Sequence, residues 1–140
     1  MLAIMIPNII FALKNQDGFQ NLWKSRLVEI LEQIGRFGCL GFMVFIIPGC
    51  RFGFSSDENF ALYLIINTLL IVIYCLVWII CFKRNNIFRA LALSVIPSLI
   101  FLISGALSHY LPLLIAAIIF APCHIVISYK NAVSEVKGNR

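Results

Sequence analysis

The sequence predicts an all-α protein, a polytopic helical membrane bundle with four transmembrane helices and a short apolar helix at the N-terminus. Three observations carry that expectation. The residues are 61% hydrophobic and only 12% charged, a composition foreign to soluble globular domains. The run FALYLIINTLLIVIYCLVWIICF, residues 60–82, holds no charged side chain between Asp57-Glu58 and Lys83-Arg84; as a helix it reaches roughly 34 Å, enough for a hydrocarbon core about 30 Å thick. The basic residues gather on one side of the spans that this run and its neighbours define.

The elements follow in order. Residues 1–13, MLAIMIPNIIFAL, are apolar but short, and Pro7-Asn8 interrupts them. They fit an interfacial helix, a re-entrant segment or a fifth span lacking its outer end. A cleaved signal peptide is not expected, because no basic residue precedes the apolar stretch and no small-residue cleavage site precedes Lys14. The connection 14–26 carries Gly18 and two aromatic anchors for the headgroup region, Phe19 and Trp23.

Residues 27–48 read as one helix of two characters. Its first part holds Glu29, Glu32 and Arg36, and its second is uncharged with Gly35, Gly38 and Gly41 as close-approach points for neighbouring helices. Glu32 and Arg36 are spaced to pair across one turn. A loop, 49–59, leads to the central span at 60–82, and the polar turn 83–86 leads to the span 87–107. Pro97 predicts a kink there. Ala90, Ser94, Ser98 and Gly105 form a small-residue helix-packing face. Ser108-His109-Tyr110 is a minimal connection, and 110–129 is the last span before a polar tail.

Lys14, Lys24, Arg26, Lys83, Arg84, Arg89, Lys130, Lys137 and Arg140, nine of the eleven basic residues, fall on one side of this arrangement. The positive-inside rule makes that side cytoplasmic, so the 83–86 loop and the C-terminus face the cytoplasm of a multi-pass plasma-membrane protein. The net charge of +5 therefore serves orientation, and nucleic acid is not an expected partner. Five cysteines without a Cys-x-x-Cys pair give no disulfide framework and no thiol-redox motif.

Ionisable groups inside a span are the first functional candidates, since leaving them unpaired costs about 2.5–3.5 kcal/mol on insertion scales. Glu32, Arg36, Asn67 and His124 are the members of a candidate polar pocket open to the cytoplasm. Each has a plainer reading. Glu32 and Arg36 suit a helix that starts in the wet interface, with Arg36 snorkelling. His124 lies two residues after Pro122, which frees the Ile118 carbonyl as a hydrogen-bond partner. Asn67 shares a face with Phe60, Tyr63, Tyr74 and Trp78, either an aromatic-lined groove or interhelical glue between interface anchors. His109 lies roughly 22 Å along the helix from His124, so the two cannot share one haem iron within the chain. No catalytic motif, metal-ligand set or cofactor motif is present.

The stretches IPNIIFALKN (6–15), EILEQIGR (29–36) and FRALALSVIPSLIFLISG (88–105) resemble an uncharacterised family of small multi-span integral membrane proteins of Gram-positive bacteria. The resemblance runs over nearly the whole chain and implies a bacterial membrane setting and no catalytic residue. Relatives carry a longer apolar segment before the IPN motif, which implies a complete first span in the family and a shortened one here. The expected function is a non-enzymatic accessory, regulatory or self-associating bundle, partnered by the lipid bilayer and by a second copy or another membrane protein. The alternative is a small transporter or channel; a membrane enzyme acting on lipid or quinone has least in its favour.

Overall fold

The computed structural model describes residues 6, 9, 10, 13, 23, 25–50, 53–81 and 87–138, with side chains through residue 134. Four long helices make up the fold: α1 (Arg26–Val44), α2 (Asp57–Cys81), α3 (Ile87–Leu107) and α4 (Leu111–Gly138). No strand occurs among the described residues. The helices α2, α3 and, over Leu111–Ser134, α4 are long and apolar enough to cross a membrane. Ile6, Ile9, Ile10 and Leu13 are helical and exposed; the rest of 1–13 lies outside the described residues, and a fifth span is not shown. The turn 83–86 also lies outside them.

Local chemistry explains where the helices begin and end. Helix α2 starts three residues earlier than the apolar run, because Ser56 Oγ accepts the Asn59 N–H at 3.2 Å and caps it. Asp57 and Glu58 then sit in its first turn, where a carboxylate meets the positive end of the helix dipole. Helix α1 stops at Val44, short of the expected Pro48. Phe45 is extended (φ −105°, ψ 120°), and the residue before a proline is itself biased away from helix. The 45–47 segment is held by Tyr110, whose hydroxyl donates to Phe45 O at 3.2 Å and accepts from Ile47 N at 3.0 Å. Helix α4 runs past Tyr129 to Gly138, since no glycine or proline interrupts 123–137. The expected polar tail is thus mostly helix.

Between α3 and α4 the chain turns in the fewest residues. Tyr110 N–H bonds Gly105 O at 3.0 Å and His109 N–H bonds Ala106 O at 3.2 Å, the two bonds of a Schellman motif. His109 occupies its left-handed position with φ 48°, where glycine is usual. The ring of His109 reaches Gly53 O at 3.2 Å and Ser55 Oγ at 3.4 Å, fastening the loop after α1 to this turn. Pro97 and Pro122 lie inside unbroken helices. Around Pro97, Ser94 and Ser98 donate to Leu91 O (3.0 Å) and Ser94 O (2.8 Å).

Helix α1 packs on α4, α4 on α3 and α3 on α2. Two cores result. One joins Cys39, Phe101, Tyr110, Leu113, Ala117 and Phe120 across α1, α3 and α4; the other joins Tyr74 and Trp78 of α2 to Ile96 and Ile100 of α3. Outward faces are apolar, with Leu27, Ile34 and Phe37 on α1 and Ile65, Leu69, Ile79 and Ile80 on α2 more than half exposed. Surface of that kind belongs against hydrocarbon.

Candidate functional site

Glycines on α1 let it approach α4 closely enough to bury a charge. A Cβ on Gly35 would stand 2.8 Å from the Cα, Cβ and N of Phe120, and one on Gly38 would stand 3.1 Å from Ala116 Cβ. The same construction at Gly41 meets nothing within 4 Å, so Gly41 is not a close-approach point. One turn before Gly35, Glu32 is 5% exposed. Its Oε1 accepts from Arg36 Nη2 across one turn of α1 and lies 2.9 Å from His124 Nδ1 on α4. The imidazole also stacks on Phe120, with ring centroids 4.6 Å apart and planes at 20°.

The carboxylate therefore holds two cationic or potentially cationic partners on one oxygen. Arg36 keeps nearly half its side chain exposed while Glu32 is enclosed (48% against 6%). His124 spans the gap between two helices instead of bonding the Ile118 carbonyl, the partner expected from Pro122. Of the four residues of the candidate polar pocket, Glu32, Arg36 and His124 come together.

Asn67 belongs to a different seam. Its Nδ2 donates to Tyr63 O at 2.9 Å, and its Oδ1 accepts from Ser104 Oγ of α3 at 3.1 Å. Asn67 is interhelical glue, and the aromatic groove is not formed. Tyr74 and Trp78 are 1% and 3% exposed in the α2–α3 core, while Tyr63 packs on Phe54 (5.2 Å) as Phe60 does (5.1 Å).

The helix-packing face on α3 is occupied within the chain. Ser94, Ser98 and Gly105 are buried and Ala90 is half-buried, and a Cβ on Gly105 would meet Leu114 N at 2.9 Å. Two contributors escaped sequence reasoning. Ser104 falls outside the four-residue spacing of that face yet supplies Asn67's partner. Arg89, expected at the basic rim of α3, is 9% exposed and its Nη1 donates to Cys81 O at 3.4 Å, where a cation suits the C-terminal end of α2.

Beside the α1–α4 seam runs a groove of about 560 Å³ lined by Ile34, Gly35, Gly38 and Phe42 of α1 and by Leu111, Pro112, Ile115, Ala116 and Ile119 of α4. Gly49 and Cys50 complete a lining that is almost wholly apolar and suits an apolar chain. No set of three metal-ligating side chains occurs among the described residues. Comparison with known proteins finds no matching family model, no similar curated protein and no similar solved structure.

Proposed function

We propose that the chain is a small multi-pass plasma-membrane protein without an active site of its own, which works as an accessory, regulatory or self-associating bundle. One observation carries this reading: the buried polar side chains Glu32, Asn67, Arg89, Ser94, Ser98, Ser104 and Ser108 are each hydrogen-bonded within the chain. Polar groups arranged in that way hold helices together. A partner would meet the apolar outer faces of α1 and α2, because the small-residue face of α3 is already used inside. Chemical crosslinking in native membranes is expected to trap the chain with a second copy or another membrane protein; recovery of monomers only would overturn the reading.

In this proposal α1 is the fourth span. Its uncharged half, with Phe37 to Val44, lies deep, and Arg26 and Glu29 lie at the cytoplasmic rim. The Trp23 N–H to Asn131 Oδ1 bond of 2.9 Å supports it by keeping the entry to α1 beside the C-terminal part of α4. The basic residues around both favour the cytoplasmic side. Modification by an impermeant thiol reagent of a cysteine placed after Lys130 would contradict this orientation. The likeness of 6–15, 29–36 and 88–105 to small Gram-positive membrane proteins supports a bacterial setting.

A second reading, a small transporter or channel, is favoured by the Glu32, Arg36 and His124 cluster, since intramembrane ionisable groups mark ion and proton paths. Four helices enclose little volume, so a carrier requires a dimer. Flux that survives Glu32→Gln and His124→Ala in proteoliposomes would remove its mechanism.

A further inference from the structure

Helix α1 has three longitudinal sectors. Glu32, Gly35 and Cys39 are buried against α4, and Leu27, Ile30, Ile34 and Phe37 form the exposed apolar sector. Between them Arg26, Glu29, Gln33 and Arg36 recur at three- and four-residue spacings, which places them within about a quarter of the helix circumference. Arg26, Gln33 and Arg36 are exposed and Glu29 is half-buried. This polar flank climbs roughly 15 Å from the start of α1 to the level of the cluster.

His124 meets Glu32 at the upper end of that flank. A guanidinium offers only donors, so Glu32 Oε1 accepts from Arg36, and the imidazole nitrogen that shares the oxygen is best placed to donate to it as well. Nδ1 then carries the hydrogen of the neutral ring and Nε2 keeps a lone pair. Among the described residues Nε2 has no hydrogen-bond partner. The His124 side chain is 21% exposed against 6% for Glu32, so the ring is the open member of the pair.

We infer that His124 is a proton-accepting site, loaded at Nε2 from water on the Arg26, Glu29, Gln33 and Arg36 flank, with Glu32 as the positioning residue that holds the ring through Nδ1. On loading, a hydronium O–H bond breaks, an Nε2–H bond forms and a water molecule is left behind. The Nδ1 bond to Glu32 persists, and the charge summed over Glu32, Arg36 and His124 rises from zero to plus one. The charged and titratable groups around the ring are Glu32 and Arg36 from α1, with Glu29 one turn below them, and Cys123 and the exposed Lys130 on α4 itself. From α3 the one charged residue is Arg89, bound to Cys81 O. The site requires only the α1–α4 seam and holds for a packing protein and a carrier alike.

The test is nitrogen NMR of the full chain with ¹⁵N-labelled histidine in lipid bilayers, His124 being assigned with a His109→Gln sample. The neutral wild-type His124 ring is expected to be protonated on Nδ1 and bare on Nε2, and acidification is expected to add the second proton at Nε2 while Nδ1 keeps its own. Glu32→Met removes the acceptor and is expected to shift the tautomer ratio toward Nε2–H by about tenfold or more, the equivalent of losing one hydrogen bond to a charged group. A neutral wild-type ring protonated on Nε2 overturns the proposal, as does an Nε2 resonance that stays put on acidification. Both of those are read on the unmodified chain, whatever the fold of the variant. An unchanged tautomer ratio in a Glu32→Met sample whose His109 signal is native overturns the positioning role.

Discussion

The α1–α4 seam and the α2–α3 seam solve the same problem with different chemistry. Between α2 and α3 the mid-helix polar content is neutral, with Asn67 and Ser104 sharing one hydrogen bond and Tyr74, Trp78, Ile96 and Ile100 filling the remainder, and the one charge, Arg89, caps the Cys81 carbonyl at the end of α2. Between α1 and α4 the seam places a carboxylate, a guanidinium and an imidazole over a glycine floor. A neutral seam needs only shape and one satisfied amide. A charged seam also fixes which partner must be present, because removing its cationic partners strands the enclosed Glu32 carboxylate. The first therefore holds its helices mainly through neutral groups, while the second does so through charged and titratable ones.

Four tests sharpen that contrast, in falling order of effect. Glu32→Ala should destabilise the bundle by about 1.5–3 kcal/mol, because it removes the charged acceptor that Arg36 and His124 share, measured by steric-trap unfolding in bicelles; a loss no larger than that of Asn67→Ala would erase the distinction between the seams. Gly35→Ala comes next, at about 1–3 kcal/mol, because the new methyl meets backbone that cannot turn aside. The same assay reads it, and native stability would mean that α1 is not pressed onto Phe120. For the neutral seam, a double-mutant cycle on Asn67 and Ser104 should return a coupling of about 0.6 kcal/mol and no more than about 1.7 kcal/mol. Gly41→Ala, at a position with open space, should be neutral or stabilising by up to about 1 kcal/mol through helix propensity; a clear loss there would show a neighbour on that side of α1.

Much of the fold was legible because apolar length and charge placement act locally. The 87–107 helix is found with the boundaries its sequence suggests, and the apolar run at 60–82 lies within a helix that also takes in its acidic flank. Boundaries set by tertiary contacts were not legible. The end of α1 depends on the Tyr110 hydroxyl, far along the chain, and no periodicity in 27–48 announces it. For the site, the Glu32–Arg36 pair follows from one helical turn. That His124 is the third member depends on the antiparallel register of α1 on α4, which Gly35 against Phe120 and Gly38 against Ala116 define only once the helices are docked. Asn67 was recognisable as polar glue, but its separation from the charged cluster depends on α2 packing on α3, a neighbour relation that hydropathy does not encode.

The two partners of Glu32 also differ in when they exist. Arg36 is four residues away and His124 is 92 residues away. As the chain is synthesised from its N-terminus, the guanidinium is at hand once a single turn of α1 has formed, whereas the imidazole arrives only with the last helix. Arg36 is thus available to Glu32 before α2 and α3 have been made, whereas the bond to His124 requires α4. A chain cut before His124 keeps the local ion pair and lacks the bond that ties α1 to α4.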